Sequence, residues 1–312
     1  RANDSEAGDS EQWVKVKKGK GRDMQEEFLF NVVPPDRIEL TFDNFQYDYD
    51  KVVFFDFETF RLQEHVEYDD VVEYDMENRH RHRVYSAGVS CDGEDGGVKL
   101  FLGETALDAF LEHLFSLKHE VVTLTNKNGK GSFRKRPAMY CMAWNGARYD
   151  FKLILHHILT SPAWSQMVKV TQIVQAAGSV LTFGMSVDDD ETQWYYFIDP
   201  CRWMHSSLDS ACKSYGIAKE QSKSVFPHRL ITGYYSVEDN VTLSQLNDEN
   251  NYYPQDAAKV KLSPWTIEDL HRIGIRMEND QQSFSLRQLH DYYLKQDVIS
   301  MKTICTRFFS SL

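Results

Sequence analysis

The sequence is short of several things, and each shortage excludes a class of protein. No run of eighteen or more apolar residues occurs in its 312 residues, so no membrane-spanning helix is expected. No signal-peptide pattern follows Arg1, and no internal repeat is visible. Cysteine is scarce. Cys91, Cys141, Cys201, Cys212 and Cys305 are odd in number and include no C-x-x-C pair, which points to reduced structural thiols in an intracellular protein. The sequon Asn240-Val-Thr242 is matched by nothing else that suggests secretion. Positive charge is also short: 35 Lys and Arg against 47 Asp and Glu leave a net charge of −12, unlike a protein with a large nucleic-acid footprint. Disorder is excluded for most of the chain, because 42% of residues are hydrophobic and 13% aromatic. The chain opens on Arg1 rather than Met and is expected to be part of a longer protein.

What is there centres on residues 54–60, which read Phe-Phe-Asp-Phe-Glu-Thr-Phe. Residues 51–57 are apolar and rich in Val and Phe, as a buried strand would be. Asp56 and Glu58 break that run two residues apart, so on a strand both point to one face. Two like charges on one face of a core strand cost several kcal/mol unless a cation neutralises them, and a divalent metal does so best. The alternative is an edge strand with two solvated acids.

Residues 1–50 read as a lead-in with a disordered start and one short strand. Two basic runs, 15–22 and 127–136, suit either phosphate contacts or solvated loops. The charged stretch 62–83, with His65, His80 and His82, reads as an exposed loop rather than a metal site. Residues 84–90 and 98–102 predict two strands joined by a turn, 104–117 a helix, and 138–143 another strand. Asn145-Gly146 is turn chemistry. Apolar spacing then predicts a buried helix from Tyr149, with Asp150 in its first turn. Residues 179–186 and 193–198 predict a strand pair, 206–215 a helix, 216–260 an irregular polar insert, and 284–309 a last helix. On that last helix Tyr293 and Asp297 share a face, one turn apart. Strands followed by mixed helices and strands place the chain in the α/β class.

The acids Asp56, Glu58, Asp150 and Asp297 therefore come from a first strand, a junction helix and a C-terminal helix. That pattern resembles the three exonuclease motifs of the DEDD superfamily: Asp56-Phe-Glu58, Asn145 with Tyr149-Asp150, and Tyr293-Leu-Lys-Gln-Asp297. Tyr four residues before the last Asp resembles the tyrosine branch, that of the proofreading domains of DNA polymerases. Ser207-Leu208-Asp-Ser-Ala211 and Lys223-Ser-Val-Phe226 resemble two further motifs of family B polymerases of the protein-primed, organellar and viral type. Where that family often carries His before the Asn of the second motif, this chain has Trp144.

The resemblance covers roughly 51–312 and implies a ribonuclease H-like mixed sheet flanked by helices, with insertions near 62–83 and 127–136. It implies a two-metal 3′–5′ exonuclease acting in DNA replication with Mg²⁺ or Mn²⁺. Asp56 would bridge both ions, Glu58 and Asp297 would hold the nucleophile-side ion, and Asp150 would hold the other through its water shell. Tyr293 would orient the attacking water, and Lys223 would stabilise charge developing on the phosphate. Thr59, Asn145, Tyr149, Ser207 and Leu208 would hold the 3′ end of single-stranded DNA. A terminal (priming) protein is an implied partner, and a polymerase domain is expected downstream, since no Y-x-D-T-D-S or S-L-Y-P segment occurs in this chain. Two other readings stay open: an RNA-directed exonuclease of the same fold, and a non-catalytic module that binds nucleic acid or a terminal protein. A mitochondrial, viral or plasmid-associated setting is not decided by the residues.

Overall fold

A computed structural model describes residues 13–18, 25–30, 52–63, 80–91, 97–125, 132–187, 193–218, 224–278 and 283–311. The chain divides into two units, Arg1–Gln46 and Tyr47–Leu312. In the first, β1 (Trp13–Lys18) and β2 (Gln25–Phe30) pair antiparallel, with Trp13 opposite Phe30. The expected single strand is thus two, because a lone strand leaves its own N–H and C=O groups unpaired. The expected disorder of 1–12 lies outside the described residues.

The second unit is built on a seven-stranded sheet. Its strands are β3 (Val52–Gln63), β4 (His80–Cys91), β5 (Val98–Leu102), β8 (Met139–Met142), β9 (Val168–Ala176), β10 (Ser179–Val187) and β11 (Gln193–Ile198). Between them lie α1 (Ala106–Ser116), the hairpin of β6 (Val122–Thr125) and β7 (Ser132–Lys135), α2 (Asp150–Thr160) and α3 (Pro162–Met167). The order across the sheet is β5-β4-β3-β8-β11-β10-β9. β3, β8 and β11 run parallel, and the other pairs are antiparallel. This is the mixed α/β architecture expected from the sequence.

Beyond the sheet follow α4 (Cys201–Met204), α5 (Leu208–Ser214), β12 (Asn240–Thr242), α6 (Leu243–Leu246), α7 (Pro254–Leu262), α8 (Ile267–Arg272), β13 (Met277–Glu278), β14 (Ser283–Ser285) and α9 (Leu286–Ser310). Each face of the sheet has its own core, as the period-2 alternation of β3 demands. Val53, Phe55 and Phe57 pack with α1 and α2, and Phe110 of α1 and Phe197 of β11 surround Phe55. Val52, Phe54 and Phe60 pack with α5 and α9. Asp56 and Glu58 belong to this second face by alternation. Gly88 lies opposite Asp56 on β4, where an added Cβ would come within 2.9 Å of Leu294 on α9. Glycine there lets the last helix lie directly on the sheet.

Three expectations are corrected. Residues 62–63 and 80–83 are not loop: β3 and β4 pair as far as Gln63 and His80, because the ladder continues past the apolar run. The central part of 62–83 lies outside the described residues. Within the basic run 127–136, residues 132–135 form β7 and pair with β6. The 216–260 insert is not an irregular polar loop. Phe226, Ile231, Val237, Val241, Leu246, Tyr252 and Val260 are buried, Val237 in a 3-10 turn, Val241 on β12, Leu246 and Val260 in short helices and the others in the segments between, so they follow no single period. The edge strand β9 and α3 come from a stretch for which the sequence offered no reading.

Cys141, Cys201, Cys212 and Cys305 are free thiols, as expected. No helix among the described residues is long and apolar enough to cross a membrane.

Candidate active site

The parallel pairings decide where the site lies. Phe54 of β3 and Ile198 of β11 both sit opposite Met142 of β8, so β8 and β11 end side by side while β3 runs on past them with Asp56 and Glu58 just beyond. The segments leaving those ends meet there, at the place where open α/β sheets commonly bind ligands.

From β3, Asp56 and Glu58 point toward α9. From α9, Asp297 points back. One carboxylate oxygen from each of the three lies within 4.8 Å of the others. Glu58 and Asp297 are buried, and Asp56 is half-buried. Three carboxylates so close repel one another unless protons or a cation lie among them. An oxygen-only donor set in this arrangement fits a hard divalent ion such as Mg²⁺ or Mn²⁺.

Asp150 reaches the same place from another direction. It opens α2, is 3% exposed, and lies near the Phe57 amide, between Asp56 and Glu58. Its Oδ1 is buried without a hydrogen-bond partner. Burial pushes its carboxyl up to about 7, and Glu58 and Asp199 push in the same direction. A buried oxygen with no donor in the protein suits a ligand from outside it. Asp150 is not among the three acids within 4.8 Å.

Tyr293 is 3% exposed and stacks on Phe226, with ring centroids 5.4 Å apart. Its hydroxyl donates to Asp297. Burial holds its pKa well above the usual phenol value, and the neighbouring carboxylates add to this, so the phenol stays protonated at neutral pH. His228 was not anticipated. Its Nδ1 lies 3.3 Å from Oε2 of Glu58, and its ring stacks on Tyr253 and meets Tyr293 edge-on. The only signal for it was its place two residues after Phe226. The segment that holds Phe226 and His228 thus packs against Tyr293 and Glu58. Lys223 itself lies outside the described residues.

The turn between β8 and α2 is held by another unanticipated residue, Asp199, whose only signal was an Asp-Pro step after a strand. Parallel pairing of β8 and β11 sets Asp199 beside that turn. Its carboxylate accepts from the N–H groups of Asn145 at 2.9 Å, Ala147 at 3.3 Å and Cys201 at 2.9 Å. Burial raises its pKa while these donors pull it down, the net shift being upward. Asn145 has φ +62°, a left-handed conformation that Asn tolerates, and its side chain is exposed beside the site.

The remaining expected DNA contacts are placed as follows. Tyr149 and Thr59 hydrogen-bond to one another, and both to Nδ1 of His82, at 3.2 Å from Thr59. Ser207 caps α5 by accepting from the N–H of Ser210 at 3.2 Å. Leu208 is buried in the core shared with α9. Trp144 ties the start of α5 to the turn, its Nε1 donating to the carbonyl of Ser206 at 3.2 Å.

Residues 132–312 match the family model described as DNA polymerase type B, organellar and viral. Among solved structures, the chain is similar to phi29 DNA polymerase complexed with single-stranded DNA, with 11% identity and a TM-score of 0.41. That match covers 84% of this chain and 32% of the other, so the chain spans about a third of that polymerase's length. No curated protein sequence matches the chain.

Proposed function

Because the chain belongs to the type B DNA polymerases of organellar and viral type, we propose that it is their metal-dependent 3′–5′ exonuclease unit, which removes nucleotides from the 3′ end of single-stranded DNA during replication. The observation that carries this reading is the trio Asp56, Glu58 and Asp297, two of them buried and one half-buried, brought within 4.8 Å from two distant parts of the sequence. Metal binding and phosphodiester hydrolysis account for that cost in a core. In a protein-primed polymerase, a terminal protein and a polymerase domain would be this unit's partners.

Asp56, Glu58 and Asp297 would hold divalent cations, with Asp150 and its unpartnered Oδ1 completing the set. Such cations, when bound, stabilise the attacking and leaving oxygens of an in-line displacement. The protein's own groups do the rest. Tyr293 donates its hydroxyl hydrogen bond to Asp297, so its oxygen is left to accept from the attacking water and orient it. As a protonated phenol it is not the base. His228 fixes the rotamer of Glu58 from outside the trio. Asn145, Tyr149 and Thr59 line the edge at which a terminal nucleotide enters, and Lys223 would face the scissile phosphate.

The test is Mg²⁺- or Mn²⁺-dependent digestion of 5′-labelled single-stranded DNA, compared with Asp56→Ala. Stepwise shortening from the 3′ end, abolished in the variant, is expected. Binding without shortening would favour a non-catalytic module. Faster shortening of an RNA oligomer of the same sequence would favour the RNA-directed reading.

A further inference from the structure

β4 carries a bulge beside the site. Ser86 pairs with Glu58, but the next pair is Val84 with Thr59, so Tyr85 is an extra residue. Because side chains alternate, one extra residue swaps the face of everything beyond it. Before the bulge, Gly88 and Ser86 face α9, where Ser86 meets His290 at 2.9 Å. At the bulge, Tyr85 also packs on that side, against His290. Beyond it, Val84 joins the core of α1 and α2. His82 follows Val84 to that face and meets Tyr149 edge-on, with ring centroids 5.3 Å apart. Without the bulge, its imidazole would point toward α9.

We propose that His82 is a positioning residue that latches the Tyr149 hydroxyl to Thr59, fixing the first turn of α2 against β3 and β4 where the terminal nucleotide enters. The inference rests on the exonuclease reading of the site. Three side chains from three elements meet in one hydrogen-bonded triangle: Thr59 from β3, His82 from β4 and Tyr149 from the start of α2. With Nδ1 unprotonated, Tyr149 donates to it and Thr59 donates to Tyr149, so each hydroxyl proton has one acceptor. Burial raises the Tyr149 pKa, so its phenol keeps that proton at neutral pH. Tyr149 has no side-chain cap of its own to hold the helix start, and the latch supplies a tie. Asp150 follows immediately, so the same tie bears on where its carboxylate sits.

The experiment compares wild type, His82→Ala, His82→Asn and Tyr149→Phe in single-turnover digestion of 5′-labelled single-stranded DNA with Mg²⁺, alongside hydrogen exchange over residues 146–153. His82→Ala should raise the half-saturating DNA concentration about tenfold, the equilibrium cost of one buried hydrogen bond. The rate at saturation should stay within about threefold, and exchange at 149–152 should quicken. His82→Asn places an amide where Nδ1 was and should recover most of the loss. Tyr149→Phe keeps the ring, removes only the hydroxyl, and should quicken exchange at 149–152 as His82→Ala does, which covers the case in which His82→Ala fails to fold. Unchanged half-saturation and unchanged exchange in both variants would overturn the latch. So would a loss confined to the saturated rate, which would mark a chemical role. If wild type does not cleave at all, the exonuclease reading fails, and exchange with DNA anisotropy in EDTA still decides the latch by the same outcomes.

Discussion

Two helices deliver buried acids to the site, and they hold them differently. α2 presents Asp150 in its first turn, where backbone N–H groups are unspent. Backbone amides near Asp150, that of Phe57 included, pull its pKa down against the effect of burial. α9 presents Asp297 in mid-helix, where the N–H groups are committed to the helical ladder, and its carboxylate lies beside those of Asp56 and Glu58. A helix start can hold a carboxylate with the backbone. A helix interior leaves it to the phenol of Tyr293 and to whatever binds among the acids. The seating of the helices differs too: α2 depends on Asp199 and Asp108, and α9 on Gly88.

The comparison breaks most sharply at Asp297. Asp297→Asn should lower 3′–5′ digestion by at least about 10²-fold, the cost of removing one electrostatic stabiliser. In EDTA the same change should raise the melting temperature by about 2–4 °C, taking about 1 kcal/mol for the relief of repulsion among the three carboxylates. Retained activity, or a lower melting temperature in EDTA, would count against the α9 side of the contrast.

Asp199→Ala attacks the other helix. It leaves three N–H groups without their charged acceptor and should cost about 3 kcal/mol. Hydrogen exchange should rise over 144–151 before it rises in α9. A uniform rise across both helices would show that they are not held separately.

Gly88→Val forces a side chain into the 2.9 Å approach of Leu294. Overpacking of this kind costs about 1–3 kcal/mol. Digestion should fall as α9 moves off β4, while exchange at the start of α2 stays unchanged. A variant as active and as stable as wild type would mean that α9 tolerates displacement.

The smallest effect concerns the far end of α2. Asp108 on α1 accepts from Nε1 of Trp164 at 2.6 Å and bonds Nε2 of His157 at 2.6 Å. Burial pushes its carboxyl up, but these two partners outweigh it and leave it below the usual value. Its contribution to stability is therefore present above about pH 4 and is lost as pH falls through the lower folded-state value. Asp108→Asn should lower the urea midpoint slightly at neutral pH and flatten the acid limb, so that the two profiles converge below about pH 4. A variant profile parallel to wild type at every pH would reject this.

How legible each part was follows from how local its cause is. The acids of β3 stood out because Asp56 and Glu58 interrupt an apolar run, and Tyr293 and Asp297 because a helix places residues four apart on one face. α7 and α8 were hidden because their short buried stretches follow no single period. His82 was misread for a more specific reason: a stretch with three histidines and many charges looks solvated, and nothing local says that the strand ladder runs through its ends.

The sequence by itself determined the alternation of β3, the stripe of α9 and the identity of the acids, since these follow from backbone periods of 2 and 3.6. Only the tertiary structure decided which of these groups meet. The parallel order β3-β8-β11 brings Asp199 beside the turn before α2. Contact at Gly88 sets the depth of α9. A single extra residue at Tyr85 turns His82 from one face of the sheet to the other. Each depends on register between strands far apart in sequence, and a shift of one residue in register exchanges the two faces.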